Sequence, residues 1–249
     1  MKPFKFPASF LAGMCLFIFS CNSGDSEKKT EDTLTDSSQL KSTETSQENK
    51  AAAANASQLM NVVIVKHKVG SYSKWKAGYD SHDSARAANG LSNYLIGRGT
   101  PDSNTVLVIL RAADTAKAKE FANMPGLKDA MKKAGVIGQP SISMVDVVWT
   151  NPANVDQPQQ LLVTHKVKDF ESWRKEFEAS RQVRTDAGLT DLGFGYGSND
   201  NHMVTVAFAI NDLAKAKALL ASRDLKDRMT KAGVEGTPAF FFYKVTESY

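Results

Sequence analysis

An α+β fold made of two consecutive copies of one strand–helix–strand–strand–helix–strand unit is what this sequence predicts, and three observations carry the prediction. "HKVGSYSKWKAGYDSHDSARAANGL" from His67 returns as "HKVKDFESWRKEFEASRQVRTDAGL" from His165, and "DTAKAKEFANMPGLKDAMKKAGVIGQP" from Asp114 returns as "DLAKAKALLASRDLKDRMTKAGVEGTP" from Asp212. Both matches share one offset of 98 residues, with no gap between Val65 and Val147, the mark of a tandem duplication. Within each copy, short β-branched or leucine-rich runs alternate with amphipathic stretches of helical period.

The chain opens with Lys2 and Lys5, an apolar run from Phe10 to Phe19, then Ser20 and Cys21. This is the layout of a secretory signal, with an apolar segment too short for a comfortable membrane span. "IFSC" resembles the lipobox of bacterial lipoproteins, although Phe19 is bulky for it, so residues 1–21 are expected to be a lipoprotein signal with Cys21 as the acylated, for example palmitoylated, residue. Residues 22–58, rich in Ser, Thr, Glu, Asp and Lys, bury too little apolar surface to offset ordering entropy and read as a disordered tether. The expected location is the bacterial cell envelope, lipid-anchored to a membrane and facing the periplasm or the cell surface.

Cys15 lies in the signal and Cys21 at its end, so residues 22–249 hold no thiol, which excludes disulfides, cysteine nucleophiles and thiolate metal sites there. Residues 61–249 carry 25 basic and 20 acidic side chains without an Arg or Lys cluster; nucleic acid is not an expected partner.

The first domain, residues 59–149, opens on "NVVIVKHKV", and the second, 161–249, on "LLVTHKV". A long amphipathic helix follows in each, ending at Gly90 or Gly188. "LSNYLIGRG" and "LTDLGFGYG" are the next strands, and "TVLVIL" and "MVTVAFAI" the return strands. Asp114 and Asp212 stand where a helix cap belongs, Pro125-Gly126 should kink the first copy's second helix, and Pro140 or Pro238 should start the closing strand. "TNPANVDQPQQ", residues 150–160, reads as the linker.

The His-Lys-Val run, an aromatic three residues before Trp and another four after it, an Arg near the helix end, Gly-Leu, and later "LKDAMKKAGV" together resemble the dimeric α/β-barrel superfamily, with its antibiotic biosynthesis monooxygenase-like members. The resemblance covers nearly all of residues 61–245. It implies two ferredoxin-like βαββαβ domains forming an intramolecular pseudo-dimeric α/β barrel within a monomer. It is weak for function, because the superfamily spans cofactor-free oxygenases, isomerases and haem-handling proteins.

At 100° per residue, Tyr72, Trp75, Tyr79, His82 and Arg86 share one helix stripe, as do Phe170, Trp173, Phe177, Ser180 and Arg184. The aromatics suit either core packing or a pocket wall, and the arginines suit either a helix end or an anionic ligand. In "LGFGYG" alternation sets Gly193, Gly195 and Gly197 opposite Leu192, Phe194 and Tyr196. We expect the glycines to leave space beneath Trp173 and the three large side chains to pack inside the barrel. The first copy has Leu95 in place of one of these glycines, so the second pocket should be the roomier.

His67 and His165 close the first strand of each copy and are the shared side chains able to titrate near neutrality. They are the candidate catalytic bases. No HxH or HxxxH spacing supports a metal site. Haem, a minority alternative, would take one of these histidines as axial ligand, but the Asn, His and Trp set of haem-degrading relatives has no match here. No cofactor is expected, and the expected partner is a small-molecule ligand. Three functions stay open: binding of a small, partly apolar molecule between helix and sheet, cofactor-independent monooxygenase or isomerase chemistry at the same residues, or a structural module without a ligand.

Overall fold

The computed structural model describes residues 60–153 and 155–249. The expected signal with Cys21, and the tether, lie outside the described residues. The first half runs β1 (Met60–Val69), α1 (Tyr72–Asp80), α2 (Asp83–Ala88), β2 (Leu91–Gly99), β3 (Thr105–Ala112), α3 (Thr115–Asn123), α4 (Pro125–Lys133) and β4 (Val136–Thr150). The second repeats it as β5 (Gln159–Val167), α5 (Phe170–Ala179), α6 (Arg181–Asp186), β6 (Leu189–Gly197), β7 (Asp200–Ile210), α7 (Leu213–Leu220), α8 (Arg223–Lys231) and β8 (Val234–Ser248).

All eight strands form one closed antiparallel barrel in the order β1-β3-β2-β8-β5-β7-β6-β4, with β4 pairing back onto β1. Each half supplies a four-stranded sheet, and two seams join them. At one seam β2 lies on β8, with Leu95 opposite Ser248 and Gly99 opposite Tyr243. At the other β4 lies on β6, with Val147 opposite Gly195.

Strand alternation gives three cores. Val63, Val65 and His67 of β1 point outward under the helices of the first half, whereas Val62 and Ile64 point into the barrel. The outer core of the second half gathers Leu161, Val163, Trp173, Phe194 and Phe208. Side-chain caps start α3 and α7: Asp114 accepts from Ala116 N and Lys117 N, and Asp212 from Lys215 N. Gly90 and Gly188 adopt φ of +70° and +71°, the left-handed turn that releases the chain into β2 and β6.

Two expectations need correction and one needs extension. The long first helix is two helices, broken at Ser81–His82 and at Ser180. In the first half the Ser81 hydroxyl and the His82 ring both take the Gly78 carbonyl, at 2.8 Å each, competing with the helix ladder. The kink expected at Pro125 in the first copy is there, as a break at Met124, but it is not confined to that copy: the second half breaks at Ala221–Ser222 without a proline, and Ser222 caps α8 by accepting from Leu225 N. Finally, β4 and β8 begin four residues before Pro140 and Pro238. Each proline falls where pairing to the neighbouring strand shifts register opposite His67 or His165, a bulge at which its missing N–H is tolerated.

Candidate functional site

Each half stacks the same four side chains under its first helices. In the first half the ring centroids of His67 and Trp75 are 5.4 Å apart, those of Trp75 and Tyr79 5.0 Å, and the Arg86 guanidinium sits 3.7 Å from the Tyr79 ring centre. In the second, His165 to Trp173 is 5.6 Å, Trp173 to Phe177 4.9 Å, and Arg184 to Phe177 3.6 Å. The helical period places Trp, Tyr or Phe, and Arg on one stripe, and the strand supplies the histidine. Each column borders a small cavity between helix and sheet, about 90 Å³ in the first half and about 80 Å³ in the second.

The two histidines are 5% and 6% exposed, and among the described residues neither nitrogen of either ring has a hydrogen-bond partner. Burial alone pushes each imidazole from its ordinary 6.5 down to about 4. The rings are therefore neutral at pH 7, with one donor and one acceptor unused inside apolar walls.

Arg184 is fully occupied and Arg86 in part, since no hydrogen bond to the buried Arg86 Nε is found among the described residues. Arg184 makes a two-pronged contact to the buried Asp191 carboxylate at 2.8 and 2.6 Å and donates to the Phe177 carbonyl at 2.6 Å. Arg86 donates to the Tyr79 carbonyl at 2.7 Å and to Asp83 at 3.0 Å. Tyr79 and Phe177 lie near the end of α1 and α5, where carbonyls lose their ladder partners, so both guanidiniums cap a helix break. Both complete a helix end; Arg184 has all three guanidinium nitrogens engaged, whereas, among the described residues, Arg86 keeps one unpaired beside the first cavity.

The halves reach this by different residues. Asp191 corresponds to Asn93, which accepts from the Tyr79 hydroxyl at 2.6 Å, and Phe177 corresponds to Tyr79. Asp191 was not among the candidates from sequence; the charge difference at one repeat position, facing a conserved-offset arginine in both copies, was the available signal.

The glycines lie elsewhere than expected. β6 shifts register between Asp191 and Gly193, and this extra residue inverts every later side chain. Phe194 and Tyr196 therefore pack outward against Phe170 and Trp173, while Gly193 and Gly195 face the barrel interior. A Cβ on Gly195 would run into the Asp146 carbonyl oxygen across the seam, and one on Gly197 would lie 2.9 Å from the Asp200 oxygen. The glycines admit neighbouring backbone rather than a ligand under Trp173, and the second helix–sheet cavity is not the roomier one.

A haem macrocycle does not fit either helix–sheet cavity, since pockets for much smaller drug-sized ligands span roughly 300–1,000 Å³. Among the described residues no group of three His, Cys, Asp or Glu side chains is placed to hold a metal ion.

No protein-family model matches the chain, and no curated protein matches it. Solved structures do. An anthrone oxidase-like protein aligns with TM-score 0.54 and 10% identity over 78% of this chain and 94% of its own. A protein described as a chlorite dismutase by inference aligns with TM-score 0.51 and 12% identity over 75% and 95%. A proposed monooxygenase of Fusobacterium nucleatum aligns with TM-score 0.50 and 11% identity over 76% and 93%. At these identities the likeness shows the fold alone: two ferredoxin-like halves closed into one barrel by a single chain, as the strand order shows.

Proposed function

We propose that this protein binds a small, partly apolar molecule between helix and sheet in each half, with His67 and His165 as the polar contacts. The observation that carries this reading is the pair of buried imidazoles with no partner, repeated in both copies and bordering apolar cavities. A buried polar group without a partner costs about 1–3 kcal/mol, which a ligand carrying one hydroxyl or carbonyl would relieve. Trp75 and Trp173 wall the cavities. At about 90 and 80 Å³ the closed cavities hold only a few heavy atoms, but α4 and α8 bury no residue fully, and their Met131 and Met229 roof the two cavities. Flexible methionines on weakly packed helices give room for expansion.

Binding is favoured over base catalysis by the same residues. An imidazole whose conjugate acid has a pKa of about 4 is a weak general base at pH 7. Arg184 is spent on a helix end and its buried carboxylate partner. Anchoring through Cys21 in the cell envelope is part of the proposal, supported by the lipobox-like "IFSC"; Cys21→Ser should release the protein from membranes.

Phenol, a ring with one hydroxyl, tests the reading. It is expected to shift the imidazole ¹⁵N resonances of His67 and His165 saturably, with His67→Leu and His165→Leu each losing one site while keeping the melting temperature. Unchanged resonances up to millimolar phenol would overturn it.

A further inference from the structure

A cavity larger than either of those under the helices is present. It lies inside the barrel, about 510 Å³, walled by the inward side chains of both sheets. Its origin is a broken symmetry. The first half fills its share of the interior with Leu95, Leu107 and Ile109. At the same repeat positions the second half carries the smaller Gly193, Thr205 and Ala207, so one side of the interior fills less space at these three positions. Two identical halves would have filled the space from both sides, as interiors close-packed to crystal density do.

The chemistry of the walls is graded. Val62, Ile64, Val145 and Leu162 make the body apolar. At the end near Met60 and Tyr249 stands Arg111, half-buried, its guanidinium 4.4 Å from the centre of the Tyr94 ring and donating to the Asn93 carbonyl at 3.2 Å. Among the described residues Arg111 has no carboxylate partner. Its counterpart in the other half is Ala209, so the cation marks one side of this opening. Deeper, Gln160 and Tyr243 satisfy each other at 2.7 Å, and no hydrogen bond to the Thr205 hydroxyl is found among the described residues. From Met60 to Ile64 the wall of β1 runs four residue steps, about 13 Å at the strand rise. That is the length of an extended decanoate, and the volume lies within the usual range for ligand pockets.

We propose that the barrel interior binds a medium-chain carboxylic acid, its tail between the two sheets and its carboxylate at Arg111. Arginine meets a carboxylate through two parallel N–H donors, so head-group selectivity follows from that one side chain. The site uses neither His67 nor His165 and stands apart from the helix–sheet reading.

Calorimetric titration of the full chain with decanoate, against decan-1-ol as the uncharged control, tests it. Decanoate should bind at least tenfold tighter than the alcohol. Ala207→Ile restores the first half's residue and fills the cavity; it should weaken both ligands at least tenfold while the melting temperature holds or rises. Thr205→Leu is a second filling variant should the first misfold. Arg111→Ala, the second half's own residue there, should bring acid and alcohol to equal affinity. The His67→Leu/His165→Leu double variant should bind decanoate as the wild type does. Absent decanoate binding, or binding untouched by the filling variants, overturns the site. Equal affinity of acid and alcohol in the wild type overturns the role of Arg111.

Discussion

Arg86 and Arg184 perform the same helix-capping task with carboxylates from different places. Asp83 comes from the start of α2 with its side chain 64% exposed, whereas Asp191 comes from β6 with its side chain 5% exposed. Exposed ion pairs contribute about 0–1 kcal/mol, while removing one member of a buried pair costs about 3–5 kcal/mol. Asp191→Asn should therefore destabilise the protein by several kcal/mol and Asp83→Asn by less, because water reaches Asp83 although Arg86 is buried, measured by urea unfolding. Adding Phe177→Tyr to Asp191→Asn restores the first half's Tyr–Asn hydrogen bond but not its carboxylate, because Arg181 stands at the repeat position of Asp83, and should recover only part of the loss. His67 and His165 give a pH dependence of definite sign. Their folded pKa of about 4 lies below the ordinary 6.5, so the unfolded chain binds more protons between these values. Stability should fall as pH drops from about 6.5 to about 4 and then level off, by roughly 3 kcal/mol per histidine. Melting curves of wild type and of the two leucine variants separate this loss from that due to carboxylates.

The elements were legible in the sequence as far as their type and order, because the two periodicities, 3.6 and 2, are local. What escaped was one-residue detail. The bulge after Asp191 inverts Gly193 to Gly197, and the matching shift after Asn93 sends Leu95 inward and Ile96 outward. A bulge adds one residue without changing composition, so alternation alone places the wrong face under the helix. The helix breaks escaped for a similar reason: the apolar stripe continues across them, and only the guanidinium caps on the Tyr79 and Phe177 carbonyls show how the interruption is satisfied. Two glycine substitutions test the account. Gly195→Ala should destabilise strongly, since its Cβ meets the rigid Asp146 carbonyl of β4. Gly126→Ala has open space in α4 and should stabilise by about 0.5–1 kcal/mol. Chemical denaturation of both variants decides it.

At the scale of the whole molecule, one chain closes the barrel through β2 on β8 and β4 on β6, leaving no open sheet edge among the described residues. Such closure removes the usual reason for association, and sedimentation velocity should find a monomer across micromolar concentrations. The sequence by itself determined the duplication, the order of elements, and the His, Trp and Arg positions that recur 98 residues apart, since each is written in local pattern and repeat. The tertiary structure alone decided which face each glycine shows, that Arg184 is already paired, that both histidines lack partners, and that the larger cavity lies between the sheets. Those properties depend on what packs opposite a residue across a seam or a helix, and that neighbour is set by register and closure rather than by adjacency along the chain.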